Sequence, residues 1–284
     1  MAASTQSSRL VVGAQYERAM SASASDRRAR SAFQDLALSI AAPGAALFDF
    51  GAGTGIDACV YAERGFTVGA YDVDPPMRRY FAIRCRGHIN AGRITLDSGS
   101  YSQFLARNAV NGGRRVELVT SNFAPLNLIA DLTALFEKFH ALTLPGGKVL
   151  VSVLNPYFIG DLKYGWWWRN VVRLWRVGHF SVAGAQAPIF RRRLADFARK
   201  SAPYFQLTSA FPGSPRGRGQ AASGIEVTRG ARYAGLRLAT CRFMFLLFDR
   251  RDIDRPDGSD HGAAGASSIS STNNACSRAK RARR

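Results

Sequence analysis

With 284 residues and 46% hydrophobic side chains, the chain is long enough for one large α/β domain or two small ones. Its longest aliphatic and aromatic run, FMFLLF at 243–248, falls far short of the roughly 20 residues that span a bilayer, which excludes a transmembrane helix. The formal charge of +19, from 39 Lys and Arg against 20 Asp and Glu, points either to acidic partners (nucleic acid, anionic lipid, acidic metabolites) or to a composition biased toward Arg.

Residues 1–15 are Ser-rich and are read as a flexible leader, with a domain expected over 16–250. Short apolar runs then alternate with helical patterns, as in a parallel sheet built of βαβ units. Strands are expected at ALFDF (46–50), FTVGAYD (66–72), RITLD (93–97), VELVTS (116–121) and KVLVSVL (148–154). Between the last two, Asp131 caps a helix in which Leu132, Leu135, Phe136, Phe139 and Leu142 recur at helical spacing, ended by LPGG. Two later runs, YFQLTSAF (204–211) and CRFMFLLF (241–248), are expected to pair as an antiparallel edge. The segment 251–284 is rich in Gly, Ala, Ser and charge, a composition that cannot offset ordering entropy, and is expected to be a disordered basic tail. Its final SRAKRARR is either a nucleic-acid-binding end or a solvated one. The four cysteines, Cys59, Cys85, Cys241 and Cys276, form no C-x-x-C pair, so neither a zinc site nor a disulfide framework is expected, and a reducing cytoplasm fits best.

The stretch ALFDFGAGTGID reads strand, tight Gly-rich turn, helix. Such a turn lets a ligand touch bare backbone beside a helix N-terminus, whose free N–H groups suit an anionic or carboxylate group. At the end of the next strand stands Asp72, 21 residues beyond Gly51, where an acid can accept both hydroxyls of a ribose. A dinucleotide turn requires a third glycine where this chain has Ile56. Here the glycines stand at 51, 53 and 55, with Asp49 inside the strand, giving D-x-G-x-G-x-G.

In these motifs the chain resembles the class I S-adenosylmethionine-dependent methyltransferases, over roughly residues 16 to 160. The resemblance implies a Rossmann-like, doubly wound, mostly parallel seven-stranded sheet with an antiparallel C-terminal edge strand, and S-adenosyl-L-methionine as cofactor. By that match Gly51, Ala52, Gly53 and Gly55 lie under its methionine part and Asp49 near its ammonium group. Asp72 in AYDVDPPM would hold the ribose, Val73 would lie against the adenine and Met77 would add an apolar contact. Gly99, Ser100 and Tyr101 in SGSYSQF match the loop after the third strand. There many relatives place an acid near the adenine amino group, and Ser100 takes that position here with Asp97 nearby. Ser121, Asn122 and Phe123 match the segment lining the methyl-transfer site, and Tyr16 resembles an N-terminal Tyr that closes over the cofactor.

Transfer from a sulfonium donor needs alignment rather than a metal or a covalent residue, and an aromatic site holds a sulfonium by cation–π contact, for which Tyr16, Phe123 and Tyr157 are candidates. No catalytic base is assigned. His140 lies beside the apolar face of the 131–143 helix and reads as structural, and His179 is the alternative. Methyltransferases of planar amino groups often carry an Asn-Pro-Pro-Tyr-like turn after the fourth strand, whereas this chain has SNFA. An aromatic and basic insertion, 155–200, follows the fifth strand and is expected to form the acceptor side of the site. In a helix Trp168, Val172 and Trp175 share one stripe and Arg169, Arg173 and Arg176 a neighbouring one. Three readings stand: a substrate lid with the tryptophans as packed core, a membrane-surface helix, and a nucleic-acid groove with stacking aromatics. The expected activity is methyl transfer to a small or lipid-like organic acceptor, at oxygen or carbon in preference to nitrogen. The alternatives are an RNA methyltransferase and a non-catalytic cofactor-binding partner protein.

Overall fold

A computed structural model describes residues 18, 22–183, 188–213, 225–226 and 239–252. The leader, Tyr16 and nearly all of the C-terminal tail lie outside the described residues. Strands β1 (Ala46–Phe50), β2 (Thr67–Tyr71), β3 (Ile94–Asp97), β4 (Val116–Ser121) and β5 (Thr143–Leu154) run parallel, and β10 (Phe243–Arg250) pairs antiparallel with both β5 and β8 (Phe205–Pro212). The order is β3-β2-β1-β4-β5-β10-β8-β9, where β9 is the two-residue Ile225–Glu226. This is the expected Rossmann-like sheet, with an antiparallel strand inserted beside β5.

Alternation along each strand sends side chains to two faces, and each face is covered by helices. On one, Phe48 and Phe50 of β1, Val119 of β4 and Val149, Val151 and Val153 of β5 pack with Phe104, Leu135, Phe136, Phe139 and Phe197. These come from helices α5 (Tyr101–Ala106), α6 (Leu132–Leu142) and α8 (Leu194–Ser201). On the other, Leu47, Val68, Leu118, Leu150 and Phe245 meet α1 (Ala24–Ile40), α2 (Ile56–Glu63) and α3 (Pro75–Arg84) through Ala29, Phe33, Ala37, Tyr61 and Phe81. A short α4 (Arg86–Asn90) follows α3. As expected, Asp131 caps α6, its Oδ1 accepting from the backbone N–H groups of Thr133 and Ala134.

The insertion after β5 folds as α7 (Gly165–Val177) and a hairpin of β6 (His179–Val182) with β7 (Ile189–Arg192). Buried ion pairs hold it. Asp196, 3% exposed, faces Arg192 Nε at 3.6 Å, Arg199 at 2.5 Å and His179 Nδ1 at 3.7 Å. Burial lowers Arg192 to about 10, which leaves it cationic at neutral pH. It donates to the carbonyls of Leu126, Ile129 and Ala130 and so stitches the hairpin to the connection after β4. Asp161 pairs likewise with Arg191 at 3.2 Å, both side chains almost buried.

One expectation is corrected. Cys59 of α2 and Cys85, between α3 and α4, are joined by a disulfide with Cα atoms 6.1 Å apart. They stand 26 positions apart in sequence, so only the packing of two helices on one sheet face brings them together.

Candidate active site

At the carboxyl ends of β1, β2 and β4, three loops converge, the place where ligands sit in open α/β sheets. The three glycines of the first loop have φ of +73°, +56° and +83°, left-handed values that favour glycine. Their surroundings differ. A Cβ on Gly51 would lie 2.5 Å from Pro125 of the β4 connection, and one on Gly55 would lie 2.7 Å from Phe81 and 2.8 Å from the Cys85 sulfur. A Cβ on Gly53 would meet nothing within 4 Å. Two glycines therefore let protein elements close on the loop, and Gly53 alone faces open space.

Asp72 ties this loop to the second strand. Its Oδ2 accepts from Gly53 N–H and its Oδ1 from Asp74 N–H, both at 2.8 Å. Gly51 and Ala52 N–H also donate to the Tyr71 carbonyl, at 2.8 and 3.0 Å. Burial raises the Asp72 carboxyl, against the two backbone hydrogen bonds that lower it. Val73 beside it is 55% exposed although apolar, and Met77, on the next helix, is half-buried. In β1, Asp49 is 2% exposed; its Oδ1 accepts from Thr120 Oγ1 at 3.2 Å and its Oδ2 has no partner. Burial, reinforced by the nearby Asp57 carboxylate, pushes it up to about 8.

After β4, Phe123 and Ala124 have φ of +60° and +68°. Each such non-glycine conformation costs on the order of 1–3 kcal/mol and persists only when its surroundings impose it. Here Asn122 Oδ1 accepts from Phe123 N–H at 2.9 Å, and Ala124 N–H donates to the Ser152 carbonyl at 3.0 Å. Asn122 Nδ2 in turn donates to Asp57 Oδ2 at 3.2 Å. Asp57 is buried in the first turn of α2 and also receives Arg30 at 2.7 Å and Gln34 at 2.6 Å from α1. The Arg30 guanidinium lies 4.4 Å over the Phe123 ring. This network of Asp57, Arg30, Gln34 and Asn122 fixes the Phe123 backbone from beneath, and Ser121 Oγ beside it is buried without a partner.

After β3, Ser100 caps α5 in a capping box with Gln103, while the Gly99 carbonyl accepts from Tyr71 Oη at 3.3 Å. Asp97 Oδ2 accepts from Asn111 N–H at 2.8 Å. Tyr101 packs edge-on to Phe50, its hydroxyl buried without a partner and raised by burial. The expected residues thus gather at one end of the sheet, Tyr16 apart, which lies outside the described residues. Of the histidines, His140 Nε2 contacts the Arg251 carbonyl at 3.1 Å. His179 is lowered by burial and turns Nδ1 toward Asp196.

The reading of the tryptophans as packed core is corrected for two of them. Trp168 and Trp175 are 60% and 63% exposed, with Val172 at 56%. Leu174 is the buried residue of α7, and the stripe of Trp168, Val172 and Trp175 lies away from it on the helix.

Within this site the open backbone at Gly53 and the exposed apolar Val73 at its rim, with the buried acid Asp49 in the strand behind the loop, fit a ligand with a polar end and a flat ring. The structural likenesses agree. One is to a TehB-like S-adenosylmethionine-dependent methyltransferase of Corynebacterium glutamicum, at 14% identity over 86% of this chain and 99% of that one, with TM-score 0.54. Another is to the 1,6-didemethyltoxoflavin-N1-methyltransferase of Burkholderia thailandensis, at 19% over 88% and 89%, with TM-score 0.53; its structure holds 1,6-didemethyltoxoflavin and S-adenosylhomocysteine. A third is to the CcbJ methyltransferase of Streptomyces caelestis, at 16% over 77% and 89%, with TM-score 0.51. No curated protein matches the sequence. The fold is that of the class I S-adenosylmethionine-dependent methyltransferases. Residues 16–187, more than half of the chain, match the family described as methyltransferase domain, and the chain belongs to it. It is accordingly a methyltransferase, and its cofactor is S-adenosyl-L-methionine.

Sequence reasoning missed Arg30, Gln34 and Asp57, whose partners lie 27, 23 and 65 residues away along the chain. The signal that was present is the acid two residues beyond the third glycine, at the start of a helix.

Proposed function

We propose that the enzyme methylates a small or lipid-like organic acceptor, at oxygen or carbon in preference to nitrogen. The observation that carries the reading is the backbone after β4, where SNFA replaces an Asn-Pro-Pro-Tyr-like turn and Phe123 and Ala124 are held left-handed over the Asp57 network. The small-molecule acceptor of the toxoflavin enzyme supports the acceptor class. That enzyme methylates nitrogen, and the preference for oxygen or carbon here rests on SNFA.

Residues 16–250 form the catalytic domain, because β8 and β10 complete the sheet beyond the matched 16–187. When bound, S-adenosylmethionine supplies a methyl group activated by a sulfonium sulfur. Gly53 presents open backbone to its amino-acid end, Gly51, Ala52 and Gly55 hold the turn that places it, and Asp49 stands at the ammonium end. Asp72 accepts from the ribose while its backbone bonds keep the carboxylate oriented. Val73 and Met77 cover the adenine, with Gly99, Ser100 and Tyr101 along its edge. Ser121, Asn122, Phe123 and the aromatic ring of Tyr157 line the side where acceptor and methyl meet, and Tyr16 closes over the cofactor. The chain's contribution is alignment and exclusion of water; no side chain is assigned as base.

A second reading, RNA methylation, draws on the net charge of +19. Incubating the full chain with methyl-labelled S-adenosylmethionine, a metabolite and lipid extract, and separately with total RNA, distinguishes them by mass spectrometry. Label in an organic acceptor is expected, and label in RNA alone overturns the proposal.

A further inference from the structure

Exposed apolar surface is concentrated on the insertion after β5. Of eleven large hydrophobic side chains exposed among the described residues, seven lie between Ile159 and Val177, a concentration in one segment rather than a scatter. Trp168, Val172 and Trp175 make its centre on α7, with Ile159, Leu162 and Tyr164 on the turn before it. Beside them on the same helix stand the exposed Arg169, Arg173 and Arg176. The two acids of residues 161–200, Asp161 and Asp196, are both buried against arginines of the hairpin, so the charge this segment shows to solvent is cationic only.

We propose that this face docks the protein onto anionic lipid bilayers, with α7 lying in the plane of the headgroups. At 13 residues the helix is too short to span a bilayer, but its adjoining aromatic and cationic stripes match the interfacial geometry, rings and aliphatic side chains entering the acyl boundary and arginines meeting phosphates. Trp168 Nε1 already donates to the Leu162 carbonyl at 2.8 Å, so the indole enters lipid without leaving a polar group unpaired. The aliphatic side chains decide against nucleic acid: Ile159, Leu162 and Val172 gain nothing from bases or phosphates but gain from acyl chains. A second copy of the chain would set like charges face to face. Because the segment leaves the carboxyl end of β5, docking brings lipid-dissolved molecules to the acceptor side; that consequence rests on the proposed function, whereas docking does not.

The test is co-sedimentation of the full chain with vesicles of phosphatidylcholine alone or with phosphatidylserine added, alongside calorimetry of S-adenosylmethionine binding. Binding is expected only with phosphatidylserine. The triple variant Arg169→Ala/Arg173→Ala/Arg176→Ala should weaken it about a hundredfold, at about fivefold for each arginine. Trp168→Ser/Trp175→Ser, and independently Val172→Asp, should weaken it at least about tenfold while cofactor affinity changes less than about twofold. Equal vesicle binding by the wild type and these folded variants, no vesicle binding at all, or loss in the variants of binding to single-stranded RNA without any to vesicles would each overturn the proposal. Failure of the wild type to bind cofactor would refute the functional reading and leave docking standing.

Discussion

Replacing Asp49 by Asn isolates the charge state of one buried carboxyl. Raised to about 8 by burial and by Asp57, Asp49 favours its neutral form about tenfold at pH 7, on the order of 1 kcal/mol. On the proposed placement of the cofactor's ammonium group at Asp49, the amine requires the carboxylate, so cofactor binding at pH 7 should expel close to one proton. Between pH 6 and 7, where the ligand's own amine stays protonated, affinity should rise about tenfold and then level off near pH 8. Calorimetric titration in buffers of differing ionisation enthalpy measures the proton count directly. Asp49→Asn should abolish both the proton release and the pH dependence. For the free protein the sign follows from linkage: between the unfolded value of 3.8 and the folded value of about 8 the native state binds the extra proton, so stability falls as pH rises through that window. The Asn variant should therefore gain thermal stability relative to wild type as pH rises from 5 to 8. Wild-type binding that exchanges no proton, with an affinity independent of pH, would refute this account of the site.

Asp72→Ala should reduce cofactor affinity about tenfold to a hundredfold, as expected for losing hydrogen bonds to a charged group, about 1.5–3 kcal/mol, read by calorimetry on the folded variant. Gly51→Ala and Gly53→Ala should separate: the first, blocked by Pro125 at 2.5 Å, should lower the melting temperature strongly. The second should cost only the αL strain of about 1–2 kcal/mol, seen as a small melting shift, while cutting cofactor affinity at least about tenfold. Reduction of the Cys59–Cys85 disulfide, or Cys59→Ala, should lower unfolding free energy by about 3.5 kcal/mol in urea titrations, from the entropy of a loop closed over a sequence separation of 26.

The parallel strands were legible to within a residue or two because each is an apolar run with no competing pattern. The exception is β5, which begins at Thr143 and not Lys148: its first residues, TLPGG, read as a turn, and the register shift opposite Val116 absorbs them. Helix α1 was illegible, since the buried apolar residues of its inward face are Ala29, Phe33 and Ala37, with the acid Asp26 buried beside them. The β6–β7 hairpin hid for the opposite reason. Arg191 and Arg192 look like surface residues in sequence, and their burial is set by Asp161 and Asp196, which are distant or on another element. At the site, the Gly-rich loop and Asp72 were legible as a local motif. The division of labour among the three glycines was not, because it is decided by Pro125, Phe81 and Cys85.

The place of β10 in the sheet bears on how the chain comes to be folded during synthesis. It lies between β5 and β8, yet among the described residues it is the last long strand to leave the ribosome. Until residues 243–250 arrive, β5 presents an open edge of unpaired backbone N–H and C=O groups over Lys148–Leu154, and β8 lacks its neighbour β10. A nascent chain halted near residue 187, where the family match ends, thus carries an unpaired strand edge, the kind of surface that recruits foreign strands. Completion is then a single late insertion that joins both halves of the sheet.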